Sequence, residues 1–192
     1  MSEHKPVTSK QTPANPLPGD TPLEDEIKSM VRVDHAGEFG AVRIYAGQRA
    51  IMGDKHSKAG LLRHMHEQEK VHLARFNKLI AERGVRPTIM APLWEVAGFA
   101  LGAGTALLGE KAAMACTAAV EEVIDEHYQE QRDKLNGADP ELEAIIEDFQ
   151  AEEVEHREIA LKHGAEEAPG YPVLSGLIKA GCRAAIAISK KI

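Results

Sequence analysis

The chain has 192 residues, a formal net charge of −7 and an aromatic content of only 4%. That length allows one domain with a real core, and the acidic balance argues against a nucleic-acid partner. The two cysteines, Cys116 and Cys182, lack CxxC spacing, which excludes an iron–sulfur or rubredoxin-type centre and leaves them as reduced thiols.

Residues 1–22 carry five of the ten prolines and no hydrophobic run of the kind a signal peptide needs. They read as a disordered tail, because they cannot bury enough apolar surface to offset chain entropy. Residues 23–192 then read as one all-α domain. A first helix is expected over Leu23–Met52, with Thr21 as N-cap and Pro22 at its first position, and Gly53-Asp54 breaks it. A second runs from about Ser57 to Arg83 and stops at Gly84. A third core helix spans about Gly109 to Leu135, before Asn136-Gly137. A fourth has Asp139 as N-cap and Pro140 at its first position, and ends at Gly164. The stretch from Val85 to Leu108 is too long for a hairpin and suits a crossover between helices two and three. The expected fold is therefore a ferritin-like four-helix bundle with an extra C-terminal amphipathic helix.

Two glutamate patterns recur along these helices. Glu38 is followed 31 residues later by Glu69 and then His72; Glu121 is followed 32 residues later by Glu153 and then His156. On helix two, Leu62, Met65, Glu69, His72, Phe76 and Leu79 follow steps of three and four. So do Met114, Thr117, Glu121, Ile124 and Tyr128 on helix three, and Leu142, Ile146, Phe149, Glu153, His156 and Ala160 on helix four. Apolar neighbours on one stripe turn these carboxylates inward. A buried unpaired carboxylate costs several kcal/mol, so four at matching depth call for cations. Glu-x-x-His puts both side chains on one face about a turn apart, and carboxylate with imidazole suits iron or manganese better than zinc or copper. Pseudo-two-fold symmetry assigns Glu69 and Glu153 as bridges between two iron ions. Glu38 and His72 complete one ion, Glu121 and His156 the other.

Glu67, Glu122 and Glu155 rotate off the stripes and read as exposed, and His64, His66 and His163 as surface or structural. His35, three residues before Glu38, is a candidate to hydrogen-bond beside the site. Tyr128 is a candidate to hydrogen-bond near the metals or substrate.

Several strings resemble the demethoxyubiquinone hydroxylase family of ubiquinone biosynthesis. They are Arg32-Val33-Asp34-His35-Ala36-Gly37-Glu38, Arg43-Ile44-Tyr45-Ala46-Gly47-Gln48, Glu67-Gln68-Glu69-Lys70-Val71-His72, Ala115-Cys116-Thr117-Ala118-Ala119-Val120-Glu121-Glu122, Glu152-Glu153-Val154-Glu155-His156 and Ala180-Gly181-Cys182-Arg183. The resemblance covers residues 23–192 and matches all six ligand positions. It implies a monooxygenase that places one atom of dioxygen in the ring of a demethoxylated polyprenyl quinone and reduces the other to water. The electrons come ultimately from NADH. It also implies a lipid-binding accessory protein and homo-oligomerisation. The tail lacks mitochondrial transit-peptide character, which reads as a bacterial version, peripheral on the cytoplasmic face of the inner membrane. Gly102-Ala103-Gly104-Thr105-Ala106-Leu107 fails as GxGxxG at the last glycine and has no preceding strand, so it carries no dinucleotide reading.

Val96–Gly109 holds fourteen consecutive uncharged residues, too few to span a bilayer. Gly98 and Gly102 form a small-xxx-small pair. In the last twenty residues Leu174, Leu177, Ile178, Gly181, Ala185 and Ile188 share one face, with cationic side chains outside it, as in an interfacial helix. Two rivals share part of this pattern. A bacterioferritin-like ferroxidase or storage protein would use the same ligands, and a membrane-associated quinone-binding scaffold would keep the apolar surfaces while needing none of the ligands. A rubrerythrin-like peroxidase lacks its four cysteines here.

Overall fold

The computed structural model describes residues 21–192, so all but the last two residues of the expected tail lie outside the described residues. Six α-helices follow in order: α1 (Leu23–Met52), α2 (Ala59–Arg83), α3 (Ala91–Leu107), α4 (Glu110–Leu135), α5 (Pro140–Lys162) and α6 (Tyr171–Ser189). A short 3-10 turn, Ala165–Glu167, lies between α5 and α6. No strand occurs among the described residues.

The helix ends follow local chemistry. At the start of α5 the Asp139 carboxylate accepts from Leu142 N–H at 3.1 Å, satisfying one of the free donors of the first turn, and Pro140 follows it. Asn136 closes α4 in the left-handed conformation at φ 42°, which Asn tolerates better than most residues. Two boundaries differ from expectation. Thr21 does not cap α1: Pro22 occupies the cap position and its carbonyl accepts from Asp25 and Glu26 N–H. The chain from Asp54 to Lys58 forms turns, so α2 begins at Ala59 rather than Ser57.

Cross-contacts fix the helix directions. His35 meets Asn77 and Tyr45 meets Met65, so α2 runs antiparallel to α1. Gln48 meets Ala113 and Asp34 meets Gln131, so α4 is antiparallel to α1 as well. Arg132 meets Glu147 and Asp125 meets Arg157, which sets α5 antiparallel to α4. Since α2 and α4 point the same way, the segment between them must return the chain, and α3 does so by lying parallel to α1. Glu95 pairs with Arg43 at 2.7 Å, and the Phe99 and Ala103 backbones sit on Gly47. The approach is tight: a Cβ at Gly102 would lie 1.9 Å from the Ile44 carbonyl oxygen. The glycines at 47, 98 and 102 are therefore what lets α3 rest backbone-to-backbone on α1.

The hairpins α1/α2 and α4/α5 are each closely packed and face each other across a layer of side chains. Two apolar clusters bracket this layer. Leu62, Met65, Ala113, Met114 and Ala160 lie on one side. Phe76, Leu79, Leu135, Leu142 and Ile146 lie on the other. α6 covers α4, and Lys179–Glu122 (2.6 Å) and Arg183–Glu126 (2.8 Å) hold it there.

Candidate metal centre

Between the two apolar clusters the four helices each deliver what the stripes predict. Glu38, Glu69, His72, Glu121, Glu153 and His156 are all at most 1% exposed. Their donor atoms form two overlapping sets, each drawn within 4.8 Å: Glu38, Glu69, His72 and Glu153 in one, and Glu69, Glu121, Glu153 and His156 in the other. Glu69 and Glu153 belong to both.

The histidines present Nδ1 to the cluster. His72 Nδ1 lies 3.3 Å from Glu38 Oε2 and 3.1 Å from Glu153 Oε1. His156 Nδ1 lies 3.1 Å from Glu69 Oε1 and 3.2 Å from Glu153 Oε2. Two carboxylates thus converge on each ring nitrogen, an arrangement in which the same donor atoms could share a cation. Ring faces add rigidity: His72 stacks on Phe149 with centroids 3.9 Å apart.

Glu38 Oε2, both oxygens of Glu69 and Glu121 Oε2 are buried without an aligned hydrogen-bond donor. Burial, and then the charge of neighbouring carboxylates, pushes Glu69 and Glu121 well above the ordinary carboxylate range; burial also raises Glu38. Burial opposes ionisation of Glu153 too, but hydrogen bonds from His156 and His72 outweigh it and hold that carboxyl low. His72 shows the reverse balance: burial resists its charge, yet Glu153 and Glu38 drive it up to about 11. A layer this rich in buried carboxylates could hold divalent metal ions, whose charge would offset theirs. The donor set thus fits a carboxylate-bridged pair of metals of the iron or manganese type.

Two tyrosines brace the carboxylates. Tyr128, singled out from its stripe, donates to Glu38 Oε1. Tyr45 does the same for Glu121 Oε1 at 2.8 Å and escaped the sequence reading, although it lies seven residues after Glu38 just as Tyr128 lies seven after Glu121. Burial and the adjacent carboxylates raise both phenols well above their ordinary range, so they stay protonated as donors. His35 is buried, but its hydrogen bond goes to Asn77 at 3.1 Å and not to a ligand. Gln68 and Glu152, each one residue before a cluster glutamate, also escaped notice: Glu152 lies 3.2 Å from His72 Nε2 and Gln68 Oε1 3.1 Å from His156 Nε2.

Directly outside the α1/α4 wall of this cluster lies an apolar cavity of about 540 Å³. Gly37, Gly40, Ala41 and Ile44 of α1 and Val120, Val123 and Ile124 of α4 form its floor; Trp94, Ala97, Gly98 and Leu101 of α3 and Leu177, Ile178, Cys182 and Ile186 of α6 form its sides. Glu38 and Glu121 sit between floor residues on the same two helices. Trp94 Nε1 donates to Ser189 Oγ at 3.2 Å, joining α3 to α6 at one end.

Residues 25–189 match the family model described as ubiquinone biosynthesis protein COQ7. The chain belongs to this family. A COQ7-family relative from Rhodospirillum rubrum, named 3-demethoxyubiquinol 3-hydroxylase, is 55% identical over 186 residues, covering 97% of this chain and 88% of the relative. The human protein named NADPH-dependent 3-demethoxyubiquinone 3-hydroxylase, mitochondrial, is 52% identical over 170 residues, 86% of this chain and 78% of its own. The Saccharomyces cerevisiae 5-demethoxyubiquinone hydroxylase, mitochondrial, is 41% identical, covering 85% and 77%.

Within this COQ7-family chain the remaining candidates take structural places. Glu67, Glu155 and His64 are exposed as expected. Glu122 is only half-exposed, because it holds Lys179. His66 is buried and accepts from Arg49, and His163 pairs with Lys58. Gly102-Ala103-Gly104 lies inside α3, where Gly102 serves helix packing. The C-terminal face divides: Leu177 is 68% exposed, but Ile178 is buried against α4. Lys179 and Arg183 are tied to α4 carboxylates, so they do not stand outside the apolar face as free cations.

Proposed function

We propose that this chain is a monooxygenase of ubiquinone biosynthesis that hydroxylates the ring of a demethoxylated polyprenyl quinol with dioxygen at a pair of iron ions. The observation that carries the reading is the juxtaposition of the two sites: an apolar cavity of about 540 Å³, a volume in the range of small-molecule pockets, rests on the helix wall whose inner side holds the six-residue cluster. Family membership and the names of the relatives support the substrate class.

In this reading Glu69 and Glu153, shared by both donor sets, would serve both ions; Glu38 and His72 would complete one position, and Glu121 and His156 the other. Bound there, the iron pair supplies the activation of dioxygen. The chain does the rest. Tyr45 and Tyr128 hold Glu121 and Glu38 by one oxygen each, leaving the second oxygen free to ligate. The apolar clusters above and below exclude water, which strengthens every charge interaction in the layer. On the α1 part of the cavity floor, Gly37, Gly40 and Ala41 carry nothing larger than a methyl group, which leaves room there for a flat ring. The human relative is named for NADPH; a reduced nicotinamide nucleotide is proposed here as the ultimate electron source, NADH being the sequence expectation.

Leu93, Val96, Leu107 and Leu108 on and just after α3, and Val173 and Leu177 on α6, are exposed apolar side chains on the two helices that form the cavity sides. We place this face against a membrane surface, from which a tailed quinone would enter. α6 has the length and hydropathy of a membrane-crossing helix, yet its ion pairs to α4 suit a helix lying along the bundle. A lipid-binding accessory protein or a second copy of the chain would use the same face.

The test is direct. Purified chain loaded with ferrous iron, given a demethoxyubiquinone, a reduced nicotinamide nucleotide and ¹⁸O₂, should yield a product carrying one labelled oxygen. Iron oxidation and mineral growth without that product would support the ferroxidase reading instead. Normal turnover with the iron removed would reject the metal assignment.

A further inference from the structure

Outside the ligand layer, between α2 and α5, four side chains form one hydrogen-bonded chain. His156 Nε2 lies 3.1 Å from Gln68 Oε1, Gln68 Nε2 lies 2.9 Å from Glu152 Oε2, and that same oxygen lies 3.2 Å from His72 Nε2. The two histidines, whose Nδ1 atoms face the cluster from opposite halves, are thus joined behind it by an outer bridge.

The chemistry of the bridge runs in one direction. A carboxylate only accepts, so Glu152 requires a proton on His72 Nε2 and the amide NH₂ of Gln68 on its other side. That orientation leaves Gln68 Oε1 toward His156 and so requires a proton on His156 Nε2 as well. One acidic group therefore fixes the ring protons of both histidines, and leaves both Nδ1 lone pairs for metal. The bridge is also unsymmetrical. His72 is backed by a carboxylate, whereas His156, in the matching place of the other half, is backed by a neutral amide. A ring whose outer N–H bonds to a carboxylate is the more basic ligand.

We infer that Gln68 and Glu152 are positioning residues that lock both histidines for ligation through Nδ1 and make the two metal positions unequal, the Glu38/His72 position binding its divalent ion more tightly. This rests on the di-metal reading above, and concerns metal loading rather than turnover. The Glu152 side chain is 40% exposed, so its replacement leaves no buried hole.

The test uses Zn(II) as a redox-silent probe of the full chain with ¹⁵N-labelled histidine. Wild type should show two ring Nε2–H protons, with the His72 proton further downfield because its acceptor is charged, and two separable Zn(II) affinities. Glu152→Gln should move the His72 proton upfield and weaken the tighter site by about tenfold or more. The double variant Gln68→Glu with Glu152→Gln rebuilds the bridge in mirror image. It should restore tight binding while transferring the downfield shift to His156. Rings protonated at Nδ1, two equal Zn(II) affinities in wild type, or a Glu152→Gln chain that binds Zn(II) as wild type does would each overturn the inference. So would a double variant that fails to regain binding, since that marks a merely structural role. Failure of the di-metal reading itself is separate: Zn(II) would then bind at neither or only one position in wild type.

Discussion

Tyr45 on α1 donates its hydroxyl to Glu121 Oε1 on α4 at 2.8 Å, across the layer between the two hairpins. Tyr128 on α4 makes the reverse connection to Glu38 on α1. Each tyrosine follows the glutamate of its own helix by seven residues, two turns, and so falls on the same face one step deeper into the core. Each hairpin therefore braces a ligand of the other. Tyr45→Phe should remove a hydrogen bond to a charged buried acceptor and cost about 1.5–3 kcal/mol. Denaturant unfolding of the metal-loaded protein measures this; an unchanged midpoint would show that Glu121 is held by other means.

Shared membership in both ligand sets singles out Glu69 and Glu153. Metal content after loading with ferrous iron should fall from about two ions per chain in wild type to about one in Glu38→Ala, and toward none in Glu69→Ala or Glu153→Ala, because a bridging ligand serves both ions. Full occupancy in both bridging variants would refute the assignment. Circular dichroism should stay helical throughout, since the apolar clusters on either side are intact.

At the start of α5, Asp139 caps the helix and also pairs with Arg83. Burial works against its charge, but the Arg83 and Leu142 hydrogen bonds prevail and hold its carboxyl below the ordinary value. A depressed folded-state pKa means that the stabilisation is complete above the unfolded pKa, about 4, and is lost as pH falls through the lower folded value. Asp139→Ala should lose about 1 kcal/mol at neutral pH as the cap disappears. Its stability gap from wild type should close in acid, below about pH 4. Asp139→Asn keeps a cap acceptor and should lose less. Thermal melts across pH 3–7 would decide; a gap that widens in acid contradicts the assignment.

Val96 and Val173 are 66% and 68% exposed and lie outside the cavity lining. Changing both to Asp should weaken sedimentation with anionic vesicles at least tenfold, since each buried apolar side chain contributes roughly 1.5–3 kcal/mol. Iron content should not change. Lys179 and Arg183 are engaged by α4, so any salt-dependent part of the binding should come from the exposed Lys190 and Lys191. Vesicle binding that survives the double change would move this face to a protein interface.

The bundle and its ligands were legible because steps of three and four on α2, α4 and α5 mark one buried face, and Leu62, Glu69, Phe76 and Leu142 all fall there. Other features are not written in local pattern. α3 is apolar nearly all round, so it offers no period, and its glycines make sense only against the α1 backbone. Leu177 and Ile178 look alike in sequence and are separated by where α4 happens to lie. The Gln68–Glu152 contact joins residues 84 apart. The cavity exists because α3 and α6 stand apart over α1 and α4, which no single helix encodes.

The correspondence between the halves runs deeper than the ligands. Three residues past each tyrosine stands a glutamine, and each reaches the residue four before the opposite glutamate: Gln48 to Thr117 and Gln131 to Asp34. A single helical hairpin carrying Glu, Tyr, Gln and Glu-x-x-His therefore contains every kind of part the centre uses. Paired with a second copy of itself, such a hairpin would close the same cage. The present chain is in effect that pair made continuous, with α3 as the tether, and the tether's own mass forms one side of the chamber outside the ligand layer.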